Sequence, residues 1–253
     1  MNMKKRRRQS TSAAIYVVVA ALAIIFLAIS GISAFLKIAD IEVEGASIYS
    51  AEEVIEAAGV KPGHNLLFLN LKAVGRRITG DMPYINEIKI SRVMPDAIRI
   101  EISESLAIAG LSFQGDTLII DSAGRVLQRT ADMPYGLIEI RGFNPVDPEP
   151  GSLMKTELGN EMQFRHLVDV LAAIEKSDIG DDVSYIDIAS ISNITIGYAG
   201  RFRVLLGNST NIQQKLNRLQ PAVDVINSER DYGETGLIDM SNSSVEWRFT
   251  PDR

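Results

Sequence analysis

Two histidines, four neighbouring aspartates and one S-x-x-K tetrapeptide are the residues of this chain whose types and spacing could do chemistry. His64 follows a Pro-Gly pair in "GVKPGHN", a turn that could hold an imidazole base beside a substrate. The glycines there form neither G-x-x-x-x-G-K-[ST] nor G-x-G-x-x-G, so they supply no phosphate cradle. His166 stands beside Leu167 with Glu161 and Asp169 nearby, and no H-x-x-x-H spacing offers zinc two ligands on one helix face. Asp178, Asp181, Asp182 and Asp187 lack the alternating ligands, central Gly and closing Glu of a calcium loop. Asp178 to Asp182 read as a solvated loop before a strand. "SLMK", Ser152 to Lys155, matches a serine-nucleophile signature but has no S-D-N or K-T-G companion. The chain has no cysteine, which removes disulfides, thiolate metal sites and cysteine catalysis. The expectation is no catalytic, cofactor-binding or metal-ligating residue, no cofactor, and hence no enzyme.

The elements that must carry these residues begin with an N-terminal signal. Lys4, Lys5, Arg6, Arg7 and Arg8 form a basic cluster, and Gln9 to Leu36 carry no charge. The apolar run Ala13 to Leu36 reaches the length of about 20 residues that spans a bilayer as a helix. It exceeds the roughly 7–15 apolar residues of a secretory signal, and no clear A-x-A site follows it. The expectation is a cytoplasmic basic tail over 1–12 and a single N-terminal transmembrane signal-anchor helix over 13–36. The cluster is the orientation signal, because Lys and Arg beside a membrane helix stay in the cytoplasm. The protein would then be a single-pass type II protein of the cell membrane with its C-terminal domains extracytoplasmic. All 32 acidic residues lie beyond residue 36 and five of the 26 basic ones before it, so this portion carries a formal charge of −11 against −6 for the whole chain. That balance argues against nucleic acid, which attracts dense Lys/Arg surfaces.

"IADIEVE" (Ile38 to Glu44) alternates as a half-buried strand. Ser50 and Glu53 have the spacing of a capping box, and Ala51, Val54, Ile55 and Ala58 recur at helical spacing before Gly59. In "VKPGHNLLFLN", Pro62 and Gly63 turn the chain, Leu66, Leu67 and Phe68 are expected to drop into the core, His64 to face solvent, and Asn70 to cap a second helix. "INEIKISRVM" and "AIRIEIS" are strands around a Pro95-Asp96 turn. This β-α-α-β-β order predicts a small α+β domain over 38–104. A larger mixed-sheet domain with two helices, roughly Glu157 to Lys176 and Asn211 to Asn227, is predicted over 105–250. Its last strand, Val245 to Phe249, carries the only tryptophan, Trp247, on one face with Phe249. A terminal strand can lie at a sheet edge and accept a partner's strand. The alternative is that both aromatic residues are core.

Taken together, these stretches resemble the FtsQ/DivIB cell-division proteins of bacteria. The motifs are the V-x-G strand end at Val43–Gly45, the S-x-E-E-type helix start at Ser50–Glu53, the G-x-N-L-[FL]-x-x-[ND] loop at Gly63–Asn70, and the R-x-x-P turn at Arg92–Pro95. They occur in the order of an FtsQ-type POTRA domain. "LIIDSAGRVLQ", "RVLLGNSTNIQQKLNRLQ" and "GLIDM…VEWRF" resemble the family's β domain. Where the family often has E-R-x-P at the domain junction, this chain has "SESLA". The resemblance implies a bitopic divisome scaffold at the division septum. It would link FtsB/DivIC-like and FtsL-like single-span division proteins to the septal peptidoglycan synthase complex. It also implies tentative partner-binding residues: Ser244, Val245, Glu246, Trp247, Arg248 and Phe249. Another POTRA-bearing envelope assembly or secretion factor, or an anchored cell-wall hydrolase, are the other readings.

Overall fold

Alternating and helical apolar patterns resolve into twelve strands and five helices in a computed structural model, which describes residues 15–27, 31, 36–230, 233–242 and 247–252. The expected membrane-spanning helix over 13–36 is corrected here. Helix α1 covers residues 15–27, and no helix among the described residues is long and apolar enough to cross a membrane. A helix rises 1.5 Å per residue, so about 20 apolar residues are needed to cross about 30 Å of bilayer hydrocarbon. The basic tail, with Lys4, Lys5, Arg6, Arg7 and Arg8, lies outside the described residues. The α+β class and the mixed sheet stand.

The chain divides into two compact units: Met1–Asp81 with Glu87–Glu104, and Met82–Asn86 with Ser105–Arg253. The first unit is built on β1 (Asp40–Glu44), α2 (Ala51–Ala58), α3 (Leu71–Asp81), β2 (Ile85–Val93) and β3 (Ala97–Glu104). Its three strands lie in the order β1-β3-β2, with β1 parallel to β3. Val54, Ala58, Val74 and Ile78 from the helices and Ile98, Ile100 and Ile102 from β3 are buried. Ile88 and Ile90 of β2 are half-buried, because β2 is the sheet's edge. Gly45 shows why its strand end must lack a side chain. A Cβ there would lie 2.1 Å from the Ile102 carbonyl oxygen, and its φ of +85° suits glycine. The Glu104 carboxylate accepts the N–H groups of Ser47, Ile48 and Tyr49 and so fixes the loop that leads into α2.

The capping box of α2 forms as its spacing predicts. The Ser50 hydroxyl accepts the Glu53 N–H, and Glu53 accepts the Ser50 N–H at 2.7 Å. The Ser50 backbone and side-chain hydrogen bonds hold the Glu53 carboxyl below its ordinary value of 4.5. A carboxylate lowered by folding stabilises the fold above its unfolded value and loses that contribution as pH falls through the folded one. The expected result is that Ser50→Ala lowers the urea midpoint of the first unit at pH 6, and that the gap to the parent narrows by pH 3. An equal gap at both pH values would contradict the assignment.

The second unit has β4 (Ala109–Phe113), β5 (Asp116–Ile120), β6 (Val126–Thr130), β7 (Ile138–Arg141), α4 (Glu161–Glu175), β8 (Val183–Asp187), β9 (Ile194–Tyr198), β10 (Phe202–Gly207), α5 (Ile212–Glu229), β11 (Gly236–Asp239) and β12 (Arg248–Pro251). These nine strands form one sheet in the order β12-β11-β10-β9-β8-β7-β4-β5-β6. The pairs β4–β7, β7–β8 and β10–β11 are parallel, and the others described are antiparallel. Each long helix is thus the crossover of a parallel pair, β7-α4-β8 and β10-α5-β11. Both crossovers step toward β12, and the right-handed preference of such units brings both helices to one face. The core agrees with that placement. Leu167, Leu171 and Ile174 of α4 and Leu216, Leu219 and Val223 of α5 cluster with Ile140, Ile186, Ile196, Val204 and Ile238 of the sheet. No strand was expected at β7, which is short and pairs only at long range.

Candidate functional site

The chemistry-bearing residues take structural positions. His64 is exposed, and its Nδ1 accepts the Lys61 N–H. Ser152 accepts the Val126 N–H through its carbonyl, and Lys155 pairs its backbone with Val146. Asp181 and Asp182 form a 3-10 turn before β8, and Asp187 accepts the Ala189 N–H. Among the described residues no group of three metal-ligating side chains comes together.

The fold does bring His166 of α4 to Ser209, 2.6 Å from Nδ1 to Oγ, and Ser209 to Asp169 at 2.8 Å. A serine nucleophile needs a base that takes its proton and an acid that orients the base. Here the serine stands between the two. Its single proton goes to Asp169, so the imidazole acts as a donor to Oγ and does not activate it. Lys215 and Tyr198 are buried groups that sequence reasoning missed. The Lys215 Nζ donates to the Leu206 and Asn208 carbonyls at 2.6 and 3.0 Å, and burial lowers its pKa. It thereby closes the β10–α5 turn. Its place three residues after Ile212 and four before Leu219 on the inward stripe was the available signal. Tyr198 donates to Gln220, and burial, then the Asp182 and Asp224 charges, push it up to about 12. It stays protonated at neutral pH.

The larger sheet ends in β12 on one side and β6 on the other, and the β12 end carries the aromatic residues. β12 pairs antiparallel with β11, Ile238 opposite Phe249 and Asp239 opposite Arg248, and stands last in the strand order. Its outer backbone edge therefore has no sheet neighbour among the described residues. Phe249 packs edge-to-face on Phe202, with centroids 6.0 Å apart, and the Arg230 guanidinium lies 5.2 Å from its ring centre. Trp247 and Phe249 are partly buried against the core, whereas Arg248 and Thr250 are exposed. The aromatic side chains thus hold the strand down, and what it offers a partner is its backbone edge and its exposed alternate residues. Pro251, with no N–H, suits the end of an edge strand. Gly236 makes the close packing possible, since a Cβ there would lie 2.4 Å from the Thr250 carbonyl oxygen. Ser244, Val245 and Glu246 lie outside the described residues, and the described part of the strand is Arg248–Pro251.

Residues 36–105 match the family model "POTRA domain, FtsQ-type". The protein called cell division protein DivIB of Clostridium acetobutylicum is 26% identical over 208 residues, which cover 82% of this chain and 80% of that one. The DivIB of Clostridium botulinum strain Hall is 26% identical over 82% of this chain and 79% of its own. The cell division protein FtsQ of Corynebacterium glutamicum is 24% identical over 64% of this chain and 76% of its own. Over most of its length the chain is similar to cell division proteins named DivIB and FtsQ, and its residues 36–105 match an FtsQ-type POTRA domain.

Two of the family motifs turn out to be one device. The R-x-x-P arginine, Arg92, donates from Nε to the Leu66 carbonyl and from Nη2 to those of Leu67 and Leu69. It therefore holds the backbone of the G-x-N-L-[FL] loop. The Asn65 carboxamide oxygen accepts the Leu67 and Phe68 N–H groups from the other side. Only Leu66 enters the core, fully buried, whereas Phe68 is 74% exposed. The expectation that Leu67 and Phe68 drop inward is corrected, because the clamped backbone turns their side chains outward.

Proposed function

We propose that this chain works in bacterial cell division as a non-enzymatic scaffold at the septal membrane. In this reading the sheet of the second unit accepts an extended segment of an FtsB/DivIC-like partner along β12. FtsL-like proteins and the septal peptidoglycan synthase complex join through that partner. The first domain, 38–104, supplies recruitment contacts, and the second, 105–250, the strand-accepting edge. The observation that carries the reading is β12 itself, a terminal strand held down by Phe249 with its outer edge unpaired among the described residues. An added strand gains main-chain hydrogen bonds from the edge and selectivity from alternate side chains. Similarity over most of the chain to proteins named cell division protein DivIB and FtsQ supports division as the setting and favours it over other POTRA-bearing envelope factors.

The test removes the edge. Depletion of the protein is expected to give filaments or failed septa. Deleting residues 243–253 is expected to abolish co-purification of an FtsB/DivIC-like partner, with the thermal unfolding of the first unit unchanged. Full partner recovery by the truncated chain would refute strand addition.

A further inference from the structure

The loop that displays Leu67 and Phe68 is a built surface. Its backbone is satisfied on both sides: Arg92 holds the carbonyls of Leu66, Leu67 and Leu69, and Asn65 holds the N–H groups of Leu67 and Phe68. A loop tied this fully presents its side chains in fixed directions, and here two neighbours point to water, Leu67 40% and Phe68 74% exposed. Exposed aromatic and aliphatic residues side by side on a rigid loop mark a contact surface more than a packing accident.

The chain itself indicates what covers it. The charge-free stretch from Gln9 ends at Leu36, and Lys37 is the first charge after it. Residues 36–38 are laced to this same loop. The Leu36 carbonyl accepts the Leu66 N–H at 2.8 Å, the Ile38 N–H donates to the His64 carbonyl at 2.9 Å, and Lys37 bridges Asn65. Phe68 thus sits two residues beyond a backbone ladder whose other side emerges directly from the apolar run. Helix α1 within that run is exposed along residues 15–27, an apolar surface that water does not favour. Whatever apolar phase takes up the run is held within a few residues of Phe68. Lys37 and Lys61 are exposed on the two segments that flank the loop, placed to keep their ammonium groups in water while their stems lie along an apolar boundary.

We infer that the Leu66–Leu69 loop dips Leu67 and Phe68 into the headgroup–acyl boundary of a lipid bilayer, beside the C-terminal end of the apolar N-terminal run. The contact is apolar in origin. The net negative charge beyond residue 36 opposes adsorption to anionic lipid, so neutral phosphatidylcholine suffices. An amphipathic contact of this kind reaches roughly 5–10 Å into the boundary and fixes the first unit's β-sheet at a set height above the membrane.

The absence of cysteine makes the test direct. Nitroxide labels are attached to the full chain at Phe68→Cys, Leu67→Cys and, as a water-exposed control, Leu158→Cys, whose side chain is 99% exposed. Each variant is incorporated into phosphatidylcholine vesicles, and label collisions with oxygen, which enters lipid, and with a water-soluble nickel chelate are compared. The expected result is an oxygen-to-nickel ratio at residues 67 and 68 severalfold above that at residue 158. A ratio at 68 equal to the control overturns the inference. So does a label at 68 shielded from both reagents, which would show burial against protein such as a second copy or α1, and so does failure of the chain to associate with vesicles. The readout does not involve cell division, so its failure is distinct from failure of the scaffold reading.

Discussion

Gly236→Ala is expected to detach β12 from the sheet and to weaken binding of a strand-donating partner at least tenfold, about 1.4 kcal/mol or more. The reason is a contact with no way to relax. A Cβ at residue 236 would lie 2.4 Å from the Thr250 carbonyl oxygen, 2.7 Å from Phe249 Cε2 and 2.9 Å from the Pro251 Cα. Two of those three atoms are backbone, so the strand must move as a unit. Outside the ladder to β11, the strand and its C-terminal neighbour are held by the Phe202–Phe249 contact, the Arg230 guanidinium over Phe249, the Asp252 N–H on the Thr235 carbonyl and an exposed Arg203–Asp252 ion pair, and exposed pairs are worth about 0–1 kcal/mol. The rest of the unit should survive, because Ile238 of β11 remains within a core built on two helices. Two measurements check this: partner affinity by titration calorimetry, and global unfolding by circular dichroism. Undiminished affinity in Gly236→Ala would show that β12 is not the acceptor edge.

Leu66→Ala is expected to cost the first unit about 2–5 kcal/mol, the range for truncating a buried leucine, whereas Phe68→Ala is expected to stay within about 0.5 kcal/mol. Both residues belong to one apolar burst, and both would be assigned to the core by hydrophobicity. The structure separates them: Leu66 is fully buried and Phe68 largely in water. A unit of this size has a stability of only several kcal/mol, so Leu66→Ala brings it close to unfolding. Urea melts of the two variants decide the matter, and equal losses would mean that Phe68 is packed after all.

The pair also shows where sequence reading stops. Ser50 with Glu53, Asn70 at the start of α3, and the Pro95 turn were legible because each interaction closes within about four residues. The inward stripes of α4 and α5 were legible because helical spacing puts them on one side whatever they meet. The assignment of Leu66, Leu67 and Phe68 failed because their directions depend on Arg92, more than twenty residues away. β7 alternates as Ile138-Glu139-Ile140-Arg141 but is only four residues long, and its stability comes from parallel partners on both sides, β4 and β8. Parallel pairing needs distant segments, so no short window contains it.

The candidate site divides in the same way. Placing an aromatic strand near residue 247 followed from composition and alternation. Its edge position, and the inward role of Trp247 and Phe249, followed only from the order of nine strands. The chemistry-bearing residues repeat the lesson. His166 and Asp169 are one helical turn apart in α4, but that Ser209 would stand between them as an inert link was set by how α4 meets the β10–α5 turn. What the sequence determined alone was caps, turns, periodicity and the charge-free N-terminal run, since those rest on neighbouring residues and on composition. The tertiary structure decided which apolar residues face water and which strands are left at the edges, because these depend on contacts whose partners are far apart in the chain.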